Sequence, residues 1–138
     1  MQKRGEMLKV DKIILLILAI EHLGFGIYGF YSPEGIAELT GYALNSKFAY
    51  SEIRAYYTLI SGLGLMAFLA IVFHKLARQT YILFSFMFGC IFLGRLANYL
   101  LTGQMDNSIM IAMIAEALVI LLSLWRLASS KNRPVAEE

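Results

Sequence analysis

The chain has 138 residues, 59% of them hydrophobic and 16% charged, with a mean hydropathy of +0.64. A water-soluble domain is about 45–50% apolar and about 25% charged, so this balance is that of an integral membrane protein with length for one compact domain, read here as residues 1–138. The net charge of +2, with its basic residues gathered at the ends and in one loop, leaves no basic face for nucleic acid, and one cysteine, Cys90, excludes a disulfide framework or a cysteine metal site.

A membrane span needs about 20 mostly apolar residues. Residues 13–30, IILLILAIEHLGFGIYGF, form the first candidate. Its basic start and apolar run over residues 13–20 resemble a signal peptide, but Glu21-His22 stands where a small-residue cleavage site belongs, so the segment is expected to be retained. Next, Ser32-Pro33-Glu34 reads as a helix start: an N-cap, a proline at the first helical position and an acid in the first turn. With Ile36, Leu39 and Tyr42 at helical spacing and Gly41 as a stop, residues 33–40 are predicted to form a short helix on the outer surface. The remaining spans are residues 53–73, 81–101 and 109–127. Cys90 is expected to be a small core residue, and the polar tail from Ser129 to be mobile.

Lys3, Arg4, Lys9 and Lys12 precede the first span, His74, Lys75 and Arg78 separate the second and third, and Arg126, Lys131 and Arg133 follow the fourth. The other two connections carry Lys47 against Glu34 and Glu38, and Asp106 alone. By the positive-inside rule both termini are cytoplasmic, giving an all-α, antiparallel four-helix transmembrane bundle, N-in and C-in.

Four charges lie within these spans: Glu21, Arg54, Arg95 and Glu116. An ionisable group in hydrocarbon costs about 2.5–3.5 kcal/mol by insertion scales, and pairing offsets that cost. At 1.5 Å per residue, Glu21, Arg95 and Glu116 lie about 13, 9 and 10 Å below the outer end of the bundle, with Arg54 at its edge. Arg54, Thr58, Ser61 and Gly62 share one face of the second span, Arg95, Asn98 and Thr102 one face of the third, and Glu21, Gly24, Phe25 and Tyr28 one face of the first. The stripes are predicted to converge on a polar interior lined by Glu21, Arg54, Ser61, Arg95, Asn98 and Glu116, open to the outside, with Glu52, Tyr28, Thr58 and Thr102 at its rim. Arg95 is expected to hold a glutamate in a forked pair. His22 points about 100° away from Glu21 and is read as a packed residue, and two histidines on opposite sides of the bilayer cannot share a metal. Gly24-Phe-Gly26-Ile-Tyr-Gly29 matches the dinucleotide fingerprint literally, but no strand precedes it. No catalytic residues and no metal ligands are assigned.

The segment Ser51-Glu52-Ile53-Arg54-Ala55-Tyr56, then Gly62-Leu63-Gly64, Gly94-Arg95, Gly103 and Glu116, resembles a family of small bacterial four-helix membrane proteins of unassigned function, domain of unknown function 4345. The resemblance covers residues 12–127 and departs at Tyr57-Thr58, where similar proteins tend to carry two glycines. The layout is also similar to the small membrane subunits of the DoxX/DoxD-like group, some of which accompany quinone-linked sulfur oxidoreductases, which implies a quinone or a partner subunit.

The function taken forward is that of a bacterial inner-membrane protein that binds a small polar or amphipathic molecule in an outward-facing, charge-paired pocket, as part of transport. No resident cofactor is expected. Two alternatives stand beside it: a non-catalytic scaffold subunit whose ion pairs only fix helix packing, and a quinone-linked oxidoreductase subunit. The lipid bilayer is one partner under each, and a homo-oligomer or larger membrane complex fits all three.

Overall fold

The computed structural model describes residues 7–131 and consists of α1 (Lys9–Tyr31), α2 (Pro33–Thr40), α3 (Lys47–Val72), a 3-10 turn at His74–Leu76, α4 (Ala77–Thr102) and α5 (Asn107–Lys131). Four of these helices are long and apolar enough to cross a membrane. The short helix α2 covers the residues predicted for it, and the four long helices run several residues beyond the predicted spans, through the polar residues at their ends. α5 continues through Ser129, where a mobile tail was expected. Lys3, Arg4, Arg133 and the tail beyond residue 131 lie outside the described residues.

The chain divides into two compact units, one through Ala77 and one from Arg78. In the first, α1 and α3 nest along a seam of small residues. Gly29 lies against the Tyr57 ring, Gly26 against Ser61, and Gly64 against His22 and Leu23. Partners on α3 recede as α1 advances, so the two helices run in opposite directions. A Cβ at Gly26 would sit 2.5 Å from the Ser61 backbone nitrogen, and one at Gly64 would sit 2.5 Å from that of Leu23. Only glycine permits backbones that close.

This seam decides which faces turn inward. On α1 the buried line is Asp11, Ile14, Leu15, Leu18, Ala19, His22, Gly26 and Gly29; on α3 it is Ile53, Tyr57, Ile60, Leu63, Gly64, Ala67 and Ala70. The stripe predicted inward on α1 is instead exposed at Glu21, Gly24, Phe25 and Tyr28, and on α3 Arg54, Thr58 and Gly62 are exposed too. Gly24 and Gly62 have open space where a Cβ would be, so they are not packing glycines.

Local signals fix the element ends. Pro33 begins α2 as predicted, but the Ser32 side chain makes no capping bond; its backbone N–H closes α1 on the Tyr28 carbonyl at 2.8 Å. Gly41 stops α2 at φ 75°, a left-handed conformation that glycine adopts without strain. Ser46 caps α3, accepting the Ala49 N–H at 3.1 Å. α2 is held through Pro33 and Ile36, Ile36 packing with Ile53 and Tyr57 and with Leu44 beside them. Leu39 and Tyr42, expected on the same apolar face, are exposed.

In the second unit α4 buries Thr80, Tyr81 and Phe84, with Phe84 stacked on Phe88 at 5.9 Å. Cys90, expected in a core, is exposed, because it lies about 120° round the helix from Phe84. Among the described residues, α5 buries Glu116, Val119, Ser123 and Arg126 at helical spacing, so three of its four buried residues are polar. Large apolar side chains remain exposed on every long helix, as a lipid surrounding requires: Ile17 at 58%, Phe68 at 48%, Leu101 at 86% and Leu121 at 63%.

Candidate functional site

The α4–α5 connection sets the heights of two charges. Gly103, at φ 67°, closes α4 with its N–H on the Tyr99 carbonyl at 2.8 Å. Asp106 then caps α5, accepting the Ile109 N–H at 2.8 Å, a structural role for a residue that reads in sequence only as a loop charge. Counting inward from these ends, Arg95 lies about 10 Å from the end of α4 and Glu116 about 13 Å into α5. That difference is within the reach of an arginine side chain.

The two charges meet. Arg95 Nε donates to Glu116 Oε1 at 2.8 Å, with the carboxylate side chain 8% exposed and the guanidinium side chain 34% exposed. The pair is not the forked one expected, because Glu116 Oε2 is buried with no hydrogen-bond partner among the described residues. Using Nε turns one edge of the guanidinium to the carboxylate and leaves its terminal amino groups without another polar partner among the described residues. Asn98, three residues on and on the same face, is exposed, and a Cβ at Gly94 would meet nothing within 4 Å. The result is a one-sided site: five guanidinium N–H donors of which one is engaged, a neighbouring amide, free space beside them, and a buried carboxylate oxygen behind.

Further along α5, Ser123 Oγ is buried without a hydrogen-bond partner among the described residues, and Arg126 is buried with its guanidinium 5.0 Å from the Trp125 ring centroid. Sequence reasoning passed over both. The spacing 116–119–123–126 was the available signal, hidden because Arg126 reads as a cytoplasmic topology charge.

The other site residues expected from sequence, all but Thr102 in the first unit, do different work. Glu21 is 55% exposed, its Oε2 3.9 Å from His22 Nδ1, and that nitrogen also lies 2.9 Å from the Leu18 carbonyl oxygen. His22 is therefore packed, as predicted. Arg54 is exposed, donating from Nε to the Phe30 carbonyl at 3.4 Å, its guanidinium 6.0 Å from the Tyr50 ring centroid. By the seam register Glu21 is level with Met66, twelve residues from Arg54 along α3 or about 18 Å, so these two charges do not pair. Ser61 is in the seam against Gly26. Thr58 and Thr102 bond back to the Arg54 and Asn98 carbonyls, both at 2.8 Å, which satisfies their hydroxyls within their own helices. The Tyr28 hydroxyl lies against Gly35 of α2. Glu52 is exposed near the start of α3, away from the Arg95–Glu116 pair in sequence and in unit.

Four membrane-length helices and an ion pair set within them define a multi-pass membrane protein. The family described as Domain of unknown function (DUF4345) matches residues 10–127, and the chain belongs to that family. No curated protein and no solved structure matches it.

Proposed function

We propose that the chain forms a single antiparallel four-span domain of the bacterial inner membrane with both termini cytoplasmic. In that arrangement the Arg95–Glu116 pair receives, from the outer side, a small amphipathic molecule with an anionic head. The carrying observation is the half-made pair: one edge of Arg95 holds Glu116, while its remaining donors and Glu116 Oε2 have no partner among the described residues. In a bilayer each such group is costly, so a ligand that completes them binds with an advantage water cannot match. Complementarity then sets the ligand class. An anionic group matches Arg95 with Asn98 beside it, a hydroxyl or N–H next to that group matches Glu116 Oε2, and an apolar tail matches lipid. Passage of the ligand through the membrane is the transport function this site would serve, in an assembly of several copies.

The test uses 3-hydroxydodecanoate as probe, with dodecanoate and dodecanol as comparators, titrated calorimetrically into the purified protein in maltoside micelles. Affinity should fall in the order 3-hydroxydodecanoate, dodecanoate, dodecanol. Arg95→Gln should abolish the preference for the acids over the alcohol. Equal binding of acid and alcohol by the parent protein would remove the site and leave the pair as a device that fixes helix packing.

A further inference from the structure

A cavity unrelated to the Arg95–Glu116 pair lies in the first unit, where α3 begins beside the α2–α3 connection. Its volume is about 380 Å³, within the range of about 300–1,000 Å³ typical of small-molecule sites. Phe48, Glu52 and Tyr56 line it from α3 at intervals of four, which stacks them on one helical face, and Tyr42 faces it from the connection. Ile53 and Tyr57, 8% and 5% exposed, supply an apolar floor. Four aromatic rings and one carboxylate thus line this half-open space, Phe48 and Tyr42 on its exposed side, and its lining contains no lysine, arginine or histidine. Glu52 itself has no hydrogen bond or ion pair among the described residues. The nearest arginine in sequence, Arg54, is about 200° round the helix and is engaged with the Phe30 carbonyl and the Tyr50 ring. Glu52 is left as the charge of the cavity.

Aromatic faces carry negative quadrupole potential, and a carboxylate adds a full charge, so this lining favours a cation of low hydration with apolar substituents. We propose that the Tyr42–Phe48–Glu52–Tyr56–Tyr57 cavity binds an organic ammonium group. A free alkylamine and the choline headgroup of a lipid share that chemistry. The site has the opposite charge preference to the Arg95–Glu116 site and does not depend on it.

Benzyltrimethylammonium is the probe, titrated calorimetrically into the full chain in dodecyl maltoside, with neopentylbenzene as its uncharged isostere. Saturable binding is expected, about tenfold weaker for the isostere and for Glu52→Gln, and weaker again for Tyr56→Leu. Arg95→Gln should bind the probe as the parent does, which separates this result from any failure at the other site. Micelles doped with phosphatidylcholine distinguish the sources: probe affinity falls if the headgroup occupies the cavity and holds if the occupant is a free amine. Equal affinity for the probe and its isostere, or no saturable binding, overturns the proposal even where a variant fails to fold.

Discussion

The two units use equally apolar helices to opposite ends. In the first, 39% of the apolar stretch of α1 and 33% of that of α3 are buried, and the burial follows a seam so close that backbone meets backbone. In the second the figures are 17% and 22%, and what α5 does bury is mainly polar. Within lipid no hydrophobic force drives helices together, so close van der Waals packing and polar contacts must do so. The first unit uses packing. The second puts a charge pair where burial is sparse. The closest small-residue contacts thus lie between α1 and α3, and the Arg95–Glu116 pair between α4 and α5.

That contrast can be broken from either side. The largest effect should come from Arg95→Leu, which strands the buried Glu116 carboxylate and should lower stability by about 3 kcal/mol. Glu116→Leu should cost less, about 1 kcal/mol, because Arg95, one-third exposed, can turn its head toward water. The double variant should recover most of the loss. Denaturant titration of the reconstituted protein followed by circular dichroism reads all three, and equal single-variant losses would mean that both groups are equally enclosed.

In the first unit Gly26→Val should cost about 2–3 kcal/mol, because its side chain must enter the Ser61 backbone. Gly24→Ala, two residues away in open space, should leave stability unchanged or raise it by about 0.5–1 kcal/mol. If the two substitutions behave alike, the seam does not lie where the structure places it. The caps give a matched pair: Ser46→Ala and Asp106→Ala should each cost about 1 kcal/mol, one per unit, since a lost N-cap is a local matter whatever surrounds the helix. A much larger loss for Asp106→Ala would show that the loop also sets the Arg95–Glu116 register.

The spans and the surface helix were legible because a run of apolar residues near bilayer length fits little besides a membrane crossing, and Ser32-Pro33 followed by Gly41 brackets α2 almost by itself. The height match of Arg95 and Glu116 was equally readable, since rise per residue is fixed. Helix rotation was not. Glu21 and His22 are adjacent and about 100° apart, and glycines lie on both of their faces, at 24 on one and at 26 and 29 on the other. Only the approach of α3, through Gly64 and Ser61, selects the second face, and that information resides in the partner helix. Taking charge as the marker of the inward side therefore turned α1 the wrong way. The same limit made Thr58 and Thr102 look like site donors, when each hydroxyl is satisfied by the carbonyl one turn back. It also hid the buried pair Ser123 and Arg126 behind an apolar run and a topology signal.

The most direct test of the Arg95–Glu116 site is an experimental density map of the protein in a lipid nanodisc, at a resolution that separates side-chain atoms. The account predicts non-protein density within hydrogen-bond distance of the terminal nitrogens of Arg95, extending toward Glu116 Oε2. A guanidinium fully engaged by protein carbonyls, with both Glu116 oxygens bonded and no density beside them, would contradict it.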